Sequence, residues 1–384
     1  MTIDPGNAIL TNGRLVLTDR IVTGSVVIEN GLIAAIDEGP RRAAGAIDLA
    51  GDFLLPGLVE LHTDNLEKHF VPRPGTKWPA MAAIVGHDAQ VAAAGITTVF
   101  DALSVGEVSS GGDRLENLEG MTGAIRAASE RDMLRAEHFL HLRCEISHAD
   151  MPRLFRPFIG DPLLKLVSVM DHTPGQRQFT TLDSYRGYYV KKHGMTEEQF
   201  LAFVDRQLET SRLHGADNRA LVIRLARENG LALASHDDAT AAHVDESAAA
   251  GMEIAEFPTT IEAARASREA GMAILMGAPN VVRGGSHSGN VSALALAEHG
   301  LLDVLSSDYV PQSLLHGAFI LAEAGIGWDL PRAVQAIAAE PARRVGLHDR
   351  GSIAIGLRAD LIRVQEDRHL PLVRGVWTAG TRVI

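Results

Sequence analysis

Hydrophobic residues fall in a repeating pattern through the middle of the chain. Apolar runs of strand length alternate with Ala-rich stretches of helix length, such as Met81–Ala94, Gly120–Ala128, Glu197–His214 and Thr260–Ala270. The apolar runs are Leu54–Leu61, Ile96–Phe100, Phe139–Leu142, Leu164–Met170, Leu231–Ala234, Met252–Ala255, Met272–Met276 and Val304–Ser306. Buried parallel strands have this continuous apolar character, and strand–helix alternation is typical of a parallel sheet. Eight repeats predict an α/β fold, a (β/α)8 barrel, whose usual size of about 250 residues matches the stretch from His62 to Asp308.

The two ends of the chain have a different pattern, of short strands and turns. Strands are predicted at Ala8–Leu17, Gly24–Glu29 and Leu32–Asp37, and again at Gly351–Ile353, Ala359–Val364 and Gly375–Ile384. Asn12-Gly13 and Asn30-Gly31 are hairpin-turn signals. Neither end alone buries enough surface to be stable. We therefore expect residues 1–53 and 350–384 to build one composite β domain, with the barrel domain at 54–349.

Composition narrows the class of protein. Of 384 residues, 46% are hydrophobic and 22% charged, which is typical of a globular protein and excludes a disordered chain. The net charge of −12 argues against general binding to nucleic acid or to a membrane surface, although local arginines can still attract an anion. With the single cysteine Cys144, no leader-like N-terminal segment and no long apolar stretch, we expect a cytoplasmic protein without disulfides.

Polar residues that can bind a metal follow the apolar runs. In a barrel the active site lies at the carboxyl ends of the strands. His62 and Asp64, two residues apart on an extended strand, would point to the same side. The predicted metal ligands are His62, Asp64, Glu145, His172, His236 and Asp308. Taken singly, each could be a buried core histidine or a helix cap. Their recurrence at five strand ends favours a metal site, in which Glu145 could bridge two ions.

Asp308 has a second predicted role. A carboxylate beside a metal-activated water can accept the proton of that water, so Asp308 is the candidate catalytic base. The alternative is a structural aspartate that caps the next helix. We expect one or two divalent ions, with zinc preferred over manganese or iron.

Three loops offer groups that could bind an anion. The Gly-rich segment after the seventh run can direct backbone N–H groups at an oxyanion, and loops after strands seven and eight often bind phosphate in barrels. The candidate substrate-binding residues are Arg73, Lys77, Arg177, Arg283, Ser286 and His287. Each cation alone could be an ordinary surface charge. Together they favour a phosphorylated substrate, since a polyphosphate needs several cations from different loops.

Two segments resemble the amidohydrolase superfamily: Leu55-Pro56-Gly57-Leu58-Val59-Glu60-Leu61-His62 and Gly356-Leu357-Arg358-Ala359-Asp360-Leu361. The resemblance implies a distorted barrel with metal at its mouth and a small β-sandwich from both termini. The first-strand motif of the superfamily is His-x-His, where this chain has His62-Thr63-Asp64. The histidine usual on the sixth strand is absent, because that run ends at Glu256, to which we assign no role.

Longer motifs resemble one branch, the PhnM family of the carbon–phosphorus lyase pathway. They are His62–Lys68, Met170–Phe179, Ala234–Thr240 and Asn280–Asn290. The resemblance covers essentially the whole chain. It implies release of pyrophosphate from α-D-ribose 1-methylphosphonate 5-triphosphate, which leaves the 5-phosphate. The expected partner is then this small substrate, without nucleic acid or membrane, and a homodimer is left open.

Two rival functions are carried alongside. The first is hydrolysis of a C–N bond in a small cyclic amide, or deamination of a small substrate, the commoner chemistry of the superfamily. The second is a non-catalytic barrel that serves as a subunit of an assembly. A complete set of candidate metal ligands argues against the second.

Overall fold

The computed structural model describes residues 6–41, 43–106, 114–179, 181–286 and 289–384. Its strands, in chain order, are Ala8–Val16 (β1), Ile21–Glu29 (β2), Leu32–Glu38 (β3), Ile47–Asp48 (β4), Phe53–Pro56 (β5), Leu58–Thr63 (β6), Ile96–Val105 (β7), Glu137–Glu145 (β8), Leu164–Met170 (β9), Ala232–His236 (β10), Ile254–Glu256 (β11), Ala273–Gly277 (β12), Val304–Ser306 (β13), Leu361–Asp367 (β14), Leu370–Thr378 (β15) and Thr381–Arg382 (β16). They form two sheets.

Helices separate the strands of the second sheet. They are Asn65–Phe70 (α1), Ala80–Ala93 (α2), Arg114–Glu130 (α3), Met151–Phe155 (α4), Leu182–His193 (α5), Glu197–Glu228 (α6), Ala241–Ala249 (α7), Ile261–Glu269 (α8), Ala278–Arg283 (α9), Ala293–Glu298 (α10), Ser313–Glu323 (α11), Leu330–Gln335 (α12) and Ala339–Arg344 (α13). Short 3₁₀ turns cover Arg156–Phe158 and Arg177–Phe179. Among the described helices, none has both the length and the apolar character needed to cross a membrane.

The first sheet combines both ends of the chain. Its order is β16-β15-β14-β5-β1-β2-β3, with β4 paired to β1. Leu15, Leu54, Leu361 and Trp377 are buried in its core. This confirms that the N-terminal and C-terminal strands share a sheet, because each end contributes only part of that core. The domain boundaries at residues 53/54 and 349/350 stay a prediction.

Two predictions about this sheet were wrong, and one turn was confirmed. Asn30-Gly31 connects β2 to β3 with positive φ at both residues, as a tight two-residue hairpin requires. Asn12-Gly13 is no turn but lies inside β1, where the register with β2 shifts between Leu10 and Gly13, so the dipeptide forms an irregularity of the strand. Gly351–Ile353 is no strand, because Gly351 has φ +89°, which lies outside the β region; a Cβ there would lie only 2.8 Å from the Ala338 carbonyl oxygen.

The second sheet contains the eight predicted runs as strands, in the order β13-β12-β11-β10-β9-β8-β7-β6. Its strand pairings, such as Leu58 with Ile96 and Ala234 with Ile254, are parallel. A further parallel bridge joins Thr63, at the end of β6, to Asp308, just after β13. The predicted (β/α)8 barrel is thereby confirmed as the fold class.

The first apolar run needs a correction. Leu54–Leu61 is not one strand: β5 joins the terminal sheet, and β6 begins the barrel after a break at Gly57. A Cβ at Gly57 would lie 2.3 Å from Thr97 Oγ1, so only glycine fits this crossing point. Apolarity alone could not show the break, because both strands are fully buried.

The described chain divides into two compact units. The first contains the chain up to Asp101, residues 123–139 and everything from Met276 onward. The second contains the described residues of Ala102–Thr122 and of Leu140–Leu275. Each unit carries its own group of candidate site residues.

Candidate functional site

In the first unit, backbone hydrogen bonds join the end of β6 to Asp308, two residues after β13. The Asp308 N–H donates to the His62 carbonyl at 3.1 Å, and the Asp64 N–H donates to the Asp308 carbonyl at 3.1 Å. The Thr63 hydroxyl also donates to the Asp308 carbonyl, at 2.7 Å. Three predicted ligands, His62, Asp64 and Asp308, are therefore brought together although up to 246 positions separate them in the sequence, as 308 − 62 shows.

Glu60 reinforces this junction from inside the core. Its carboxylate accepts the His62 N–H at 2.6 Å and the Ser307 N–H. The side chain is fully buried, and burial raises the pKa of Glu60 to about 8 despite these two donors. The sequence reasoning gave Glu60 no role, yet it fixes the backbone of one predicted ligand and of the residue before another.

Asp64 departs from the predicted geometry. The alternation of side chains along an extended strand holds only as far as Thr63, because Asp64 has φ −95° and ψ 12° and precedes α1. It occupies the N-cap position of that helix, as the alternative interpretation predicts, but its side chain makes no capping hydrogen bond. Within the described residues, its Oδ1 is buried without a hydrogen-bond partner. Such an oxygen calls for a cation or a donor that the protein itself does not supply.

In the second unit, Glu145 at the end of β8 holds His172, which follows β9. The His172 Nδ1 donates to Glu145 Oε2 at 2.7 Å, and the His172 backbone N–H donates to Oε1 at 3.3 Å. The Ser147 hydroxyl donates to the same Oε1 at 2.6 Å. Burial disfavours both charges, but their mutual attraction outweighs it: the pKa of His172 is raised and that of Glu145 is lowered.

His236, the last residue of β10, is held in the same way by Glu256. Its Nδ1 donates to Glu256 Oε2 at 3.1 Å, and the Ser168 hydroxyl donates to that oxygen at 2.6 Å. Burial lowers the pKa of His236, which favours the neutral imidazole that binds metals. Asp237 then places Oδ2 3.4 Å from His236 Nε2 and 3.9 Å from His172 Nε2. These three side chains have the spacing of a metal site.

Arg177, predicted to bind the substrate, is engaged inside the protein. It is 5% exposed and forms ion pairs with Asp238 and Glu246. Glu246 also pairs with Arg219 at 2.9 Å. The guanidinium is therefore already neutralised by carboxylates. Its role as a substrate ligand stays a prediction, and any contact with an anion would have to be shared with these partners.

The remaining cation candidates lie at the surface of the first unit. Arg73 and Lys77 are exposed in the loop between α1 and α2, and Arg283 is exposed at the end of α9. Ser286 is half-buried in the segment after α9. His287 lies outside the described residues. Arg73, Lys77 and Arg283 are thus exposed to solvent, whereas Arg177 is buried.

Asp101, which ends the second apolar run, faces a different group of residues. It accepts a hydrogen bond from His87 Nε2 and another from His138 Nδ1, each 2.8 Å long. His138 Nε2 lies 3.5 Å from Asp88, and His87 Nδ1 lies 3.1 Å from the Asn65 amide nitrogen. All of these side chains are buried. We call His87, Asp88, Asp101 and His138 the buried histidine network.

Sequence reasoning left out Glu60, Asp237 and Glu256. Each lies close to the end of a predicted strand: Glu60 two residues before His62, Asp237 directly after His236, and Glu256 at the end of the sixth run. Their position was therefore the available signal. What could not be read was which neighbour each carboxylate contacts, because those partners are distant in the sequence.

Comparison with solved structures identifies the class of fold. The chain resembles molinate hydrolase, with a TM-score of 0.65 and 15% identity over 99% of this chain and 95% of that one. It resembles the 5-methylcytosine deaminase of Klebsiella pneumoniae equally, with a TM-score of 0.65 and 15% identity over 98% of each chain. The chain thus shares its fold with these two enzymes. No family model matches the sequence.

A curated relative is far more similar in sequence. The α-D-ribose 1-methylphosphonate 5-triphosphate diphosphatase of Escherichia coli (strain K12) is 50% identical over 377 residues, which cover 98% of this chain and 100% of that protein. The chain belongs to the family of this diphosphatase.

Proposed function

We propose that the chain hydrolyses α-D-ribose 1-methylphosphonate 5-triphosphate to the 5-phosphate and pyrophosphate. The observation that carries this proposal is 50% identity to a diphosphatase of that name, over 98% of this chain and 100% of that protein. The structure supports it with buried histidines and carboxylates at strand ends and with exposed cations on loops of the first unit.

The donor set fits a divalent ion. Asp64 Oδ1 and Asp237 Oδ2 are buried, and neither has a hydrogen-bond partner within the described part of the chain. Imidazole nitrogens and carboxylate oxygens suit zinc, with manganese or iron as alternatives. We propose that one or two ions are bound by residues of the predicted set, His62, Asp64, Glu145, His172, His236 and Asp308. When bound, such an ion supplies the Lewis acidity that makes water a nucleophile near neutral pH.

The residues of the chain then divide the remaining work. Asp308 accepts a proton from the attacking water. The oxygen of that water bonds to phosphorus, and the P–O bond to the pyrophosphate group breaks. The cations Arg73, Lys77 and Arg283 balance the charge of the triphosphate, and Ser286 can donate a hydrogen bond to it. Arg177 and His287 stay candidates for the same role. We place this reaction in the cytoplasm.

Phosphorus NMR of the products tests the proposed reaction. The purified, metal-loaded protein is given the ribose methylphosphonate 5-triphosphate in ¹⁸O-labelled water. We expect pyrophosphate and the ribose 5-phosphate in equal amounts, and the labelled product shows which phosphorus was attacked. A panel of cyclic amides and aminated pyrimidines, assayed for amine or ammonia release, serves as the comparison. Release of orthophosphate alone, or turnover of the amide panel only, would contradict the proposal.

A further inference from the structure

The second unit contains two histidines that face one buried carboxylate. His172 Nε2 and His236 Nε2 lie 3.9 and 3.4 Å from the same oxygen, Oδ2 of Asp237. The side chain of Asp237 is only 7% exposed and that of His236 only 6%. Ligands of a tetrahedral zinc ion with bonds near 2.0–2.1 Å lie roughly 3.3 Å from one another. The observed spacing is therefore close to that of a metal site.

The other ring nitrogen of each histidine is bound to a carboxylate. His172 Nδ1 donates to Glu145 at 2.7 Å, and His236 Nδ1 donates to Glu256 at 3.1 Å. A carboxylate that accepts from Nδ1 selects the tautomer whose lone pair is on Nε2, and it fixes the direction of the ring. Each ring is thus oriented by its own carboxylate, and both rings face the carboxylate of Asp237. Metal-binding histidines are commonly oriented in this way.

Asp237 itself is built into an unusual position. Its φ is +59°, a left-handed conformation that few residues other than glycine adopt. Its backbone N–H donates to the Glu256 carbonyl at 2.9 Å, which holds it directly beyond β10. Its Oδ2 is buried and has no hydrogen-bond donor among the residues that the structure describes. A buried carboxylate oxygen without a donor, in a strained conformation, indicates a bound cation.

We propose that Asp237 is the third protein ligand of a divalent ion whose other ligands in this unit are Nε2 of His172 and Nε2 of His236. Glu145 and Glu256 are then positioning residues that act on the ion through the two histidines. The inference rests on the proposed metal-dependent hydrolysis and refines it, because it replaces the expected bridging role of Glu145. It also gives the end of strand six a function despite its missing histidine.

Metal binding, measured without substrate, tests this assignment. The wild type, Asp237→Asn, Glu145→Gln and Glu256→Gln are stripped with a chelator and titrated with Zn²⁺ against a competing chelator. We expect Asp237→Asn to lose one tightly bound equivalent, with affinity lowered at least 100-fold. The two glutamine variants should keep the stoichiometry and lose about 10-fold to 100-fold in affinity, as positioning residues do. Substitution with Co²⁺ should give a visible spectrum that changes in Asp237→Asn.

Asp238→Asn is the matched control. Asp238 is the next residue after Asp237, and the substitution removes the same charge, but its carboxylate faces Arg177. It should bind Zn²⁺ like the wild type, and circular dichroism of each stripped variant shows whether it is folded. Unchanged stoichiometry, affinity and Co²⁺ spectrum in Asp237→Asn would overturn the assignment, as would a wild type that binds no ion. If the ion depends on Asp237 but no pyrophosphate is released, the proposed reaction fails and the metal site stands.

Discussion

Two aspartates of the candidate site have left-handed backbones. Asp237 has φ +59° and directly follows β10, and Asp308 has φ +55° and lies two residues after β13. Residues other than glycine rarely adopt this conformation, and those that do often lie at functional sites. In both cases the turn of the backbone begins where the strand ends. The unusual backbone conformation and the candidate carboxylates therefore coincide at Asp237 and Asp308.

Replacing Asp308 by asparagine tests its role as the base. Asparagine adopts left-handed conformations as readily as aspartate, so the backbone bonds to His62, Thr63 and Asp64 should survive. Without a carboxylate to accept the proton, we expect turnover to fall about 100-fold to 10,000-fold. Steady-state release of pyrophosphate measures this, together with metal retained at least in part and an unchanged circular dichroism spectrum.

Asp132→Asn is the control for that experiment. Asp132 is exposed and also left-handed, with φ +51°, but lies in the turn after α3. The Asp132→Asn variant should leave turnover unchanged. A loss of turnover in Asp308→Asn would then be specific to Asp308 and not a general effect of replacing an aspartate that has positive φ. Wild-type turnover in Asp308→Asn would exclude Asp308 as the base.

At the scale of elements, the buried histidine network ties α2, β7 and β8 together. Asp101 of β7 lies between His87 of α2 and His138 of β8. Burial opposes every charge here, yet the carboxylates Asp101 and Asp88 outweigh it and raise the pKa of His138 to about 9. His138 is therefore an imidazolium between two carboxylates. Asp88 is in turn held by the backbone N–H groups of Arg135 and Ala136.

This network predicts a pH dependence of stability. A histidine whose folded pKa is raised stabilises the fold fully below its unfolded pKa of about 6.5. That contribution is lost as pH rises toward 9, and it amounts to something on the order of 3 kcal/mol. We expect the thermal midpoint of the wild type to fall between pH 6.5 and 9. In His138→Gln that slope should be shallower and the midpoint at pH 6.5 lower. Part of the slope should remain, because Glu60, whose pKa burial raises to about 8, also loses its proton in this pH range.

His299→Gln serves as the comparison, since His299 is exposed at the end of α10. It should reproduce the wild-type pH profile. If His138→Gln also kept the wild-type slope, the network would not be the source of the pH dependence.

At the scale of the whole molecule, metal should stabilise the fold. Binding to the native state alone contributes RT ln(1 + [L]/Kd), or about 4 kcal/mol at a thousandfold excess over Kd. Removal would also leave the buried oxygens of Asp64 and Asp237 without a cation. We expect a chelator to lower the thermal midpoint by several degrees and Zn²⁺ to restore it. Identical midpoints with and without metal would contradict an ion buried in the folded chain.

The elements were largely predictable because their signals are local. Each of the eight apolar runs overlaps a strand of the barrel, and Thr260, the first residue of the predicted helix Thr260–Ala270, caps α8. Errors occurred where a neighbour overrode the local signal, as pairing with β2 did at Asn12-Gly13 and contact with Thr97 did at Gly57. Helix α6 also continues to Glu228, fourteen residues past its predicted end at His214 (228 − 214).

By itself, the sequence determined the alternation of strand and helix and placed histidines and carboxylates at strand ends, because periodicity and order along the chain are properties of neighbours. The tertiary structure alone decided how those groups are used: that Glu145 and Glu256 each hold a histidine, that Asp237 faces both rings, and that Arg177 is paired internally. Hydrogen bonds such as Glu60 to Ser307 join residues 247 positions apart. Their length and direction depend on how the backbone folds in space, and no local pattern encodes that.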